Sequence, residues 1–292
     1  MSEGLDKWRA GGSYENVDGR DIFVRREGRG EEFLLCLHGF PTASFDYHKI
    51  SDELGKEFNV VAFDMIGYGF SAKPNDLRYT TFDQVDALEK LIAKLGLARL
   101  HVLSHDYGNT IIQELLARRS EGKPSFEIRS ICFLNGALFP ETHRPILAQK
   151  ILIGPLGALF GRFIPDSVFK KNLAKVFGPD TKPSEEELND HIELFKFNGG
   201  KRIAHRLIRY MLERQVFRER WVDALHRIDV PFLMINGSAD PVSGQHLVER
   251  FRESVPEQKN IVELAGIGHF PHLEAPAAVL RELSKFYGDR SA

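Results

Sequence analysis

Apolar and polar residues alternate along the first part of the chain in a pattern that predicts strands and helices in turn. Between residues 80 and 95, apolar side chains recur at helical spacing behind a capping box at Thr80 and Asp83. Short continuous apolar runs are typical of strands buried on both faces of a parallel sheet. Such runs lie at residues 33–37, 59–64, 100–103 and 128–134. The alternation predicts an α/β protein with a doubly wound, mostly parallel sheet.

This rhythm stops between residues 139 and 225, where helix-like patterns are interrupted by proline and glycine. Strand-like runs return at 230–236 and 260–264, and an amphipathic helix is expected at 276–287. We therefore predict a core domain in two parts, 1–138 and 226–292, with a helical insertion, the lid, at 139–225. Within the lid, residues 151–164 are interpreted as a helix or loop with an apolar face, and the positive charges of 201–221 as a solvated face.

Composition limits the classes of partner. The 292 residues carry a formal net charge of −2 with no broad basic stripe, which argues against nucleic acid. No apolar run approaches the roughly 20 residues needed to span a bilayer, and the first residues do not resemble a signal peptide. We therefore expect a cytoplasmic protein without stable membrane insertion. Cys36 and Cys132 lie in strand-like runs, so we expect buried thiols and not a disulfide. The oligomeric state is left open.

The first candidate for chemistry is the pentapeptide Ser104-His105-Asp106-Tyr107-Gly108. It lies between an apolar run and a helix-like stretch, and its small first and last residues favour a sharp turn that lifts Asp106 into the open. Serine is usual at the centre of such an elbow. A carboxylate there can displace a leaving group at a saturated carbon and form an ester. The alternative is an Asp that merely begins a helix.

Two further strand-like runs end in candidate catalytic residues. Asp240 follows the run at 230–236, and His269 lies in a glycine-flanked loop after the run at 260–264. Alone, either residue would be an ordinary turn or loop residue. Together with Asp106, they give the order nucleophile, acid, base, which predicts a catalytic triad at the carboxyl ends of the strands.

These motifs resemble the α/β-hydrolase superfamily, and in particular its aspartate-nucleophile branch of epoxide hydrolases and haloalkane dehalogenases. His38-Gly39-Phe40-Pro41 is similar to the oxyanion-hole motif of that branch. Within the branch, the chain most resembles the mesoderm-specific transcript proteins, which share the elbow and the runs at 139–145 and 176–179. The resemblance implies an α/β-hydrolase fold and an alkyl-enzyme ester on Asp106. It also implies an oxyanion hole formed by the backbone N–H groups of Phe40 and Tyr107.

The resemblance does not decide whether the leaving group is the oxygen of an epoxide or a halide. It assigns Tyr210 and His38 to substrate binding or ring opening, but epoxide hydrolases usually supply two lid tyrosines and this lid has one. Three lid histidines could substitute for the second: His143, His191 and His205.

Haloalkane dehalogenases instead use N–H donors of side chains, at positions that Phe40 and Tyr107 fill here. We therefore favour hydrolysis of small hydrophobic epoxides to vicinal diols. Dehalogenation and a noncatalytic protein that binds a ligand or partner are the alternatives. No cofactor is expected, and His269 and His272 lack clear further metal ligands.

Overall fold

The structure is a computed structural model that describes residues 1–288. Its centre is one eight-stranded sheet in the order β1-β2-β4-β3-β5-β6-β7-β8. The hairpin β1–β2 and the pair β2–β4 are antiparallel, and every other pair is parallel. Within the described residues the strands are β1 Gly12–Val17, β2 Arg20–Glu27, β3 Glu32–Leu37, β4 Phe58–Phe63, β5 Arg99–Ser104, β6 Glu127–Phe133, β7 Phe232–Gly237 and β8 Ile261–Leu264.

Helices cover both faces of the sheet and form the lid. The core helices are α1 Glu3–Ala10, α2 Ser51–Leu54, α3 Thr81–Lys94, α4 Tyr107–Ser120, α12 Gln245–Ser254, α13 Pro271–Glu274 and α14 Pro276–Gly288. Those between β6 and β7 are α5 Leu147–Ile153, α6 Gly157–Phe163, α7 Asp166–Val176, α8 Glu185–Lys196, α9 Ala204–Leu207, α10 Tyr210–Val216 and α11 Arg218–His226. Two 3₁₀ helices lie at Ser44–Tyr47 and Phe197–Arg202.

Alternating side chains of the parallel strands supply two apolar layers. In β3, Leu35 and Leu37 belong to the core on one face of the sheet, while Leu34 and Cys36 belong to the core on the other. This double burial explains why these strands are apolar without interruption. The predicted α/β class with a doubly wound, mostly parallel sheet is confirmed. Cys36 and Cys132 are buried and are not joined in a disulfide, as expected.

Local signals predicted several element ends. Thr80 caps α3 and forms the capping box with Asp83. Asp18 and Gly19 both have positive φ and connect β1 to β2, as an Asp-Gly hairpin turn requires. The helix α1 was not predicted, because its apolar face is carried by just two buried residues, Leu5 and Trp8.

The basic stretch of the lid is divided into shorter helices than the sequence predicted. The basic stretch 201–221 is divided among α9, α10 and α11, after a kink where Asn198 and Gly199 adopt positive φ. On the α8 side, the lid is bound to the core twice. Asp190 accepts hydrogen bonds from the backbone N–H and the hydroxyl of Ser2, and Glu187 pairs with Lys49 at 2.5 Å. The domain limits at 139 and 225 stay a prediction.

The helices of the described residues are all too short or too polar to cross a membrane.

Candidate active site

Asp106 lies at the sharp turn between β5 and α4. Its φ of 47° and ψ of −108° fall outside the regions that non-glycine residues usually adopt, a strain of order 1–3 kcal/mol that an elbow must tolerate. Gly108 is needed because a Cβ there would lie 2.7 Å from the carbonyl oxygen of Leu37. Asn109, an unusual residue for this position, accepts a hydrogen bond from Ser104 and donates one to the Leu134 carbonyl. These contacts hold the turn.

The structure brings together the three side chains that were expected to form a triad. His269 Nδ1 lies 2.7 Å from Asp240 Oδ2, and His269 Nε2 lies 3.9 Å from Asp106 Oδ1. Asp240 accepts further hydrogen bonds from the Ser243 hydroxyl at 2.7 Å and the Val242 N–H at 2.7 Å. All three triad side chains are buried. The imidazole therefore lies between two carboxylates, firmly bonded to one and close to the other.

Burial and charge act against each other on these pKa values. Burial is the largest single influence and would raise the pKa of each carboxyl. The charge of His269 and several smaller influences together outweigh it, so the pKa of Asp240 falls to about 2 and that of Asp106 also falls below its usual value. Burial alone would lower the pKa of His269, yet Asp240 and then Asp106 raise it to about 9. At neutral pH the resting site thus holds two carboxylates and an imidazolium.

One carboxylate oxygen of Asp106 already lies at the expected oxyanion position. The Phe40 N–H donates to Asp106 Oδ2 at 2.9 Å. Gly39 allows this approach, because a Cβ on it would lie 2.5 Å from the Cβ of Asp106. The other oxygen, Oδ1, faces His269. The two carboxylate oxygens of Asp106 therefore have different neighbours. The role of the Tyr107 N–H stays a prediction.

Arg214 is a component of the site that sequence reasoning missed. The basic stretch was expected to be a solvated face, and for Arg214 this is wrong, since its side chain is 2% exposed. Its Nε donates to Thr110 Oγ1 at 2.7 Å and its Nη2 to the Asp106 carbonyl at 3.4 Å. Within residues 1–288 no carboxylate pairs directly with it. After burial and His269, the charge of Arg214 is the next influence on the pKa of Asp106, and it lowers that pKa.

Tyr210 and His38, the two residues assigned to substrate binding or ring opening, are held by different kinds of contact. Tyr210 stacks on Tyr107 with ring centroids 4.2 Å apart, and the Arg214 guanidinium lies 4.7 Å from its ring centroid. Burial and then the Asp106 charge raise the pKa of Tyr210 well above its usual value, so its hydroxyl keeps its proton. Both ring nitrogens of His38 are bonded to backbone, Nδ1 to Gly39 O and Nε2 to Met65 N. His38 therefore supports the loop and does not face the cavity.

The three lid histidines named as possible proton donors are separated by the structure. His143 is the one whose pKa is affected by Asp106, Asp240 and His269; burial and then Arg214 lower it to about 4. His191 instead lies 3.7 Å from Asp46 Oδ1. His205 lies among basic residues of the lid, where burial and then Arg206 lower its pKa. His143 is thus the lid histidine nearest in electrostatic terms to the triad.

A second buried polar group supports the His269 loop from behind. The side chains of Asp46, His105 and His272 have potential ligand atoms within 4.8 Å of one another, the one such group of three within residues 1–288. Burial raises the pKa of Asp46 and lowers those of His105 and His272, so it disfavours the charged form of all three groups. His105 Nε2 bonds the carbonyl of His269 at 2.8 Å. The expectation that no metal is needed stays a prediction.

A cavity opens onto Asp106 and His269. Its walls are mainly apolar and come mostly from the lid, including Leu152, Ile164 and Phe169. The end of α7 closes one side, where the Val176 carbonyl accepts the His269 N–H at 2.9 Å. The reactive carboxylate and imidazole thus face a space suited to an apolar molecule.

A doubly wound sheet with an elbow residue, an acid and a histidine after three of its strands, in that order, is the arrangement of α/β hydrolases. A family model described as "Alpha/beta hydrolase family" matches residues 34–282, and the chain belongs to that family. It is 38% identical to a mesoderm-specific transcript homolog protein of Bos taurus, over 98% of this chain and 88% of the relative. It is 34% identical to a putative hydrolase, LipZ, of Mycobacterium tuberculosis, over 95% of this chain and 96% of the relative.

Among solved structures, a haloalkane dehalogenase loop variant, DbeA-M1, from Bradyrhizobium elkanii superposes with a TM-score of 0.80. The two share 23% identity over 96% of this chain and 97% of the other. At that identity the likeness establishes the fold alone. Together, the comparisons confirm the resemblance drawn from the motifs and support a hydrolase.

Proposed function

We propose that the protein is a hydrolase that forms an alkyl-enzyme ester on Asp106 and converts small hydrophobic epoxides to vicinal diols. One observation carries the proposal. The elbow holds a carboxylate with Oδ2 on the Phe40 N–H and Oδ1 facing both the cavity and His269. A carboxylate in this orientation is a poor acyl-transfer nucleophile but a good one for displacement at a saturated carbon.

In the first step, Asp106 Oδ1 attacks one ring carbon of the epoxide. The new C–O bond forms as the ring C–O bond breaks, and its electron pair leaves on the ring oxygen as an alkoxide. A proton donor must then neutralise that alkoxide. The Tyr210 hydroxyl, protonated and close to Asp106, is the donor that we assign, with His143 as the neighbouring polar group.

In the second step, His269 takes a proton from water while the water oxygen adds to the ester carbonyl of Asp106. The developing oxyanion is the former Oδ2, which stays on the Phe40 N–H, a contact worth about 3–4 kcal/mol in other oxyanion holes. The ester C–O bond then breaks, and the leaving oxygen of the diol takes the proton from His269. The second proton of the water leaves the new carboxyl group and restores the Tyr210 hydroxyl that lost its proton in the first step. The carboxylate of Asp106 is thereby regenerated with one oxygen from water.

Alkylation itself prepares His269 for this second role. The Asp106 charge is one of the causes that raise the pKa of His269 to about 9. The ester is neutral, so this cause disappears when the ester forms, and the pKa of His269 falls. Asp240 still raises this pKa in the ester, but the loss of the Asp106 charge favours the neutral imidazole that the second step requires.

The test is a single turnover of a styrene-oxide-like epoxide in ¹⁸O-labelled water, with enzyme in excess, followed by proteolysis and mass spectrometry. We expect label in the peptide that contains Asp106 and not in the diol. Turnover that leaves this peptide unlabelled would contradict an ester on Asp106.

Dehalogenation is the second candidate, since the fold closely matches that of a haloalkane dehalogenase. Both tryptophans are engaged elsewhere, Trp8 Nε1 with Ser44 Oγ at 3.4 Å and Trp221 Nε1 with Glu114 Oε2 at 2.9 Å. Neither indole is therefore available to hold a halide, which favours epoxides. Halide release from a haloalkane panel, measured beside diol formation, separates the two. If a broad panel of both yields neither product, the noncatalytic alternative is favoured.

A further inference from the structure

The outer surface of the lid carries large apolar side chains that are exposed to solvent. Among residues 1–288, seven large hydrophobic residues are exposed, and four of them lie between positions 147 and 163. Leu156, Leu159 and Phe163 are 67%, 59% and 67% exposed, and Leu147 is 72% exposed. An apolar cluster of this kind on a water-soluble surface marks a site of interaction.

Three of these side chains share one face of α6. Leu156, Leu159 and Phe163 are spaced i, i+3 and i+7, which places them along one line of a helix. The other face of α6 carries Gly161, which lines the cavity, and Ile164 follows it there. The helix is therefore apolar on both sides. The cavity accounts for one side only, and the outer side is left for a partner.

The charges around this face have a single sign. Residues 142–165 contain Arg144, Lys150 and Arg162 and no acidic residue. All three basic side chains are exposed, and none has an ion pair with another described residue. The carboxylates that flank the segment are both neutralised, Glu141 by Arg218 and Asp166 by Lys201. The apolar face is thus bordered by unpaired positive charge.

We propose that this face of the lid, Leu156, Leu159 and Phe163 with their basic border, docks on the surface of an anionic phospholipid bilayer. Apolar side chains would enter the head-group boundary while the basic ones contact phosphates, as in interfacial helices. The seven residues of α6 extend about 10 Å, so the contact is peripheral and in the plane of the membrane.

The charge pattern selects a bilayer over a second copy of the chain. A twofold dimer through this face would bring the same three basic residues of each copy together, which is unfavourable. An anionic surface has the complementary charge. Docking would also place the lid helices that wall the cavity against the bilayer. An apolar, membrane-dissolved epoxide would then have a short route to Asp106, and this last point alone rests on the proposed function.

The experiment measures co-sedimentation of the whole protein with large vesicles, either phosphatidylcholine alone or a 3:1 mixture with phosphatidylglycerol. We expect binding to the mixed vesicles that weakens strongly in high salt. Leu159→Glu/Phe163→Glu should reduce binding at least about tenfold. Lys150→Gln/Arg162→Gln should reduce it about 25-fold on mixed vesicles only, at about fivefold per charge. Leu159→Ser/Phe163→Ser provides a milder second test.

The control is Tyr14→Glu, which adds one charge at an exposed aromatic on β1, a strand of the core sheet and not of the lid (48% exposed). It should bind like the unaltered protein. The proposal is overturned if the unaltered protein ignores anionic vesicles, if the lid variants bind equally well, or if Phe163→Glu abolishes a dimer in solution instead. Turnover of a water-soluble epoxide is measured separately, so failure of the proposed function leaves the vesicle result interpretable.

Discussion

The strand ends that hold the triad and the lid that covers them are built in opposite ways. Asp240 accepts hydrogen bonds from His269, Ser243 and Val242, and these three residues are all buried. The lid consists of helices of four to twelve residues, bears exposed apolar side chains and lines most of the cavity. Two of the lid groups that influence the Asp106 site, Tyr210 and Arg214, lie on one seven-residue helix, α10.

The contrast separates chemistry from selectivity. The sheet fixes atoms that must be placed within a few tenths of an ångström to make and hydrolyse an ester. The lid determines which molecule reaches them and how its leaving group is stabilised. Changes at strand ends should therefore affect every substrate alike, whereas lid changes should affect substrates unequally.

The largest effect is expected for Asp106→Ala. Removing the nucleophile should lower turnover of every substrate at least about 10⁴-fold, by analogy with nucleophile deletions in other hydrolases. Diol formation measured under saturating substrate checks this, with circular dichroism to confirm folding. Retention of more than a few per cent of activity would mean that another group attacks.

His269→Gln should stop the second step but not the first. Glutamine can occupy the site without acting as a base, so steady-state turnover should fall at least about 10³-fold while the ester accumulates. Intact-mass spectrometry after mixing with epoxide should detect the alkylated protein. A normal steady state, or loss of the burst as well, contradicts the assigned role.

Tyr210→Phe tests whether the lid treats leaving groups unequally. Loss of the hydroxyl should slow alkylation by an epoxide about 10²-fold, because the alkoxide loses its proton donor, and should spare any reaction that releases a halide. The matched variant is His143→Asn, a second polar group near the triad. Equal burst rates for Tyr210→Phe and the unaltered protein would remove this hydroxyl from the mechanism.

The two steps should depend differently on pH. Alkylation requires ionised Asp106, whose pKa is lowered, so its rate should stay constant down to about pH 4. Ester hydrolysis requires neutral His269 and should fall about tenfold per pH unit below the pKa that this group has in the ester. Rapid-quench measurement of each step checks the difference. If the rates of alkylation and of ester hydrolysis fall together as the pH is lowered, His269 does not act as a base in the second step only.

Arg214 should have the smallest effect at neutral pH. Arg214→Leu removes a positive charge that lowers the pKa of Asp106, so that pKa should rise. The loss of alkylation in acid should then begin at higher pH, while the rate at pH 8 changes little. Arg214→Lys keeps the charge and should retain the original profile; a shift as large as that of the leucine variant would indicate a purely structural role.

Local signals explain why the core could be predicted from the sequence. Each of the signals for the core depends on neighbours in the chain: the apolar runs, the Thr80 capping box and the spacing around Asp106. The triad was predicted from the order along the chain of three residues that each follow a predicted strand. Arg214 could not be predicted, since one arginine in a basic stretch is buried only by packing between α4 and α10. The same holds for the meeting of Asp46 with His105 and His272, which come from three separate segments.

The two contacts between α8 and the core have a mechanical consequence. Ser2 and Lys49 hold α8 against the core through Asp190 and Glu187, and Thr81 holds α10 through Glu213. Motion that admits a substrate should therefore be largest on the α5–α6 side of the lid. Asp190→Ala should weaken the attachment of α8 and let that side move as well.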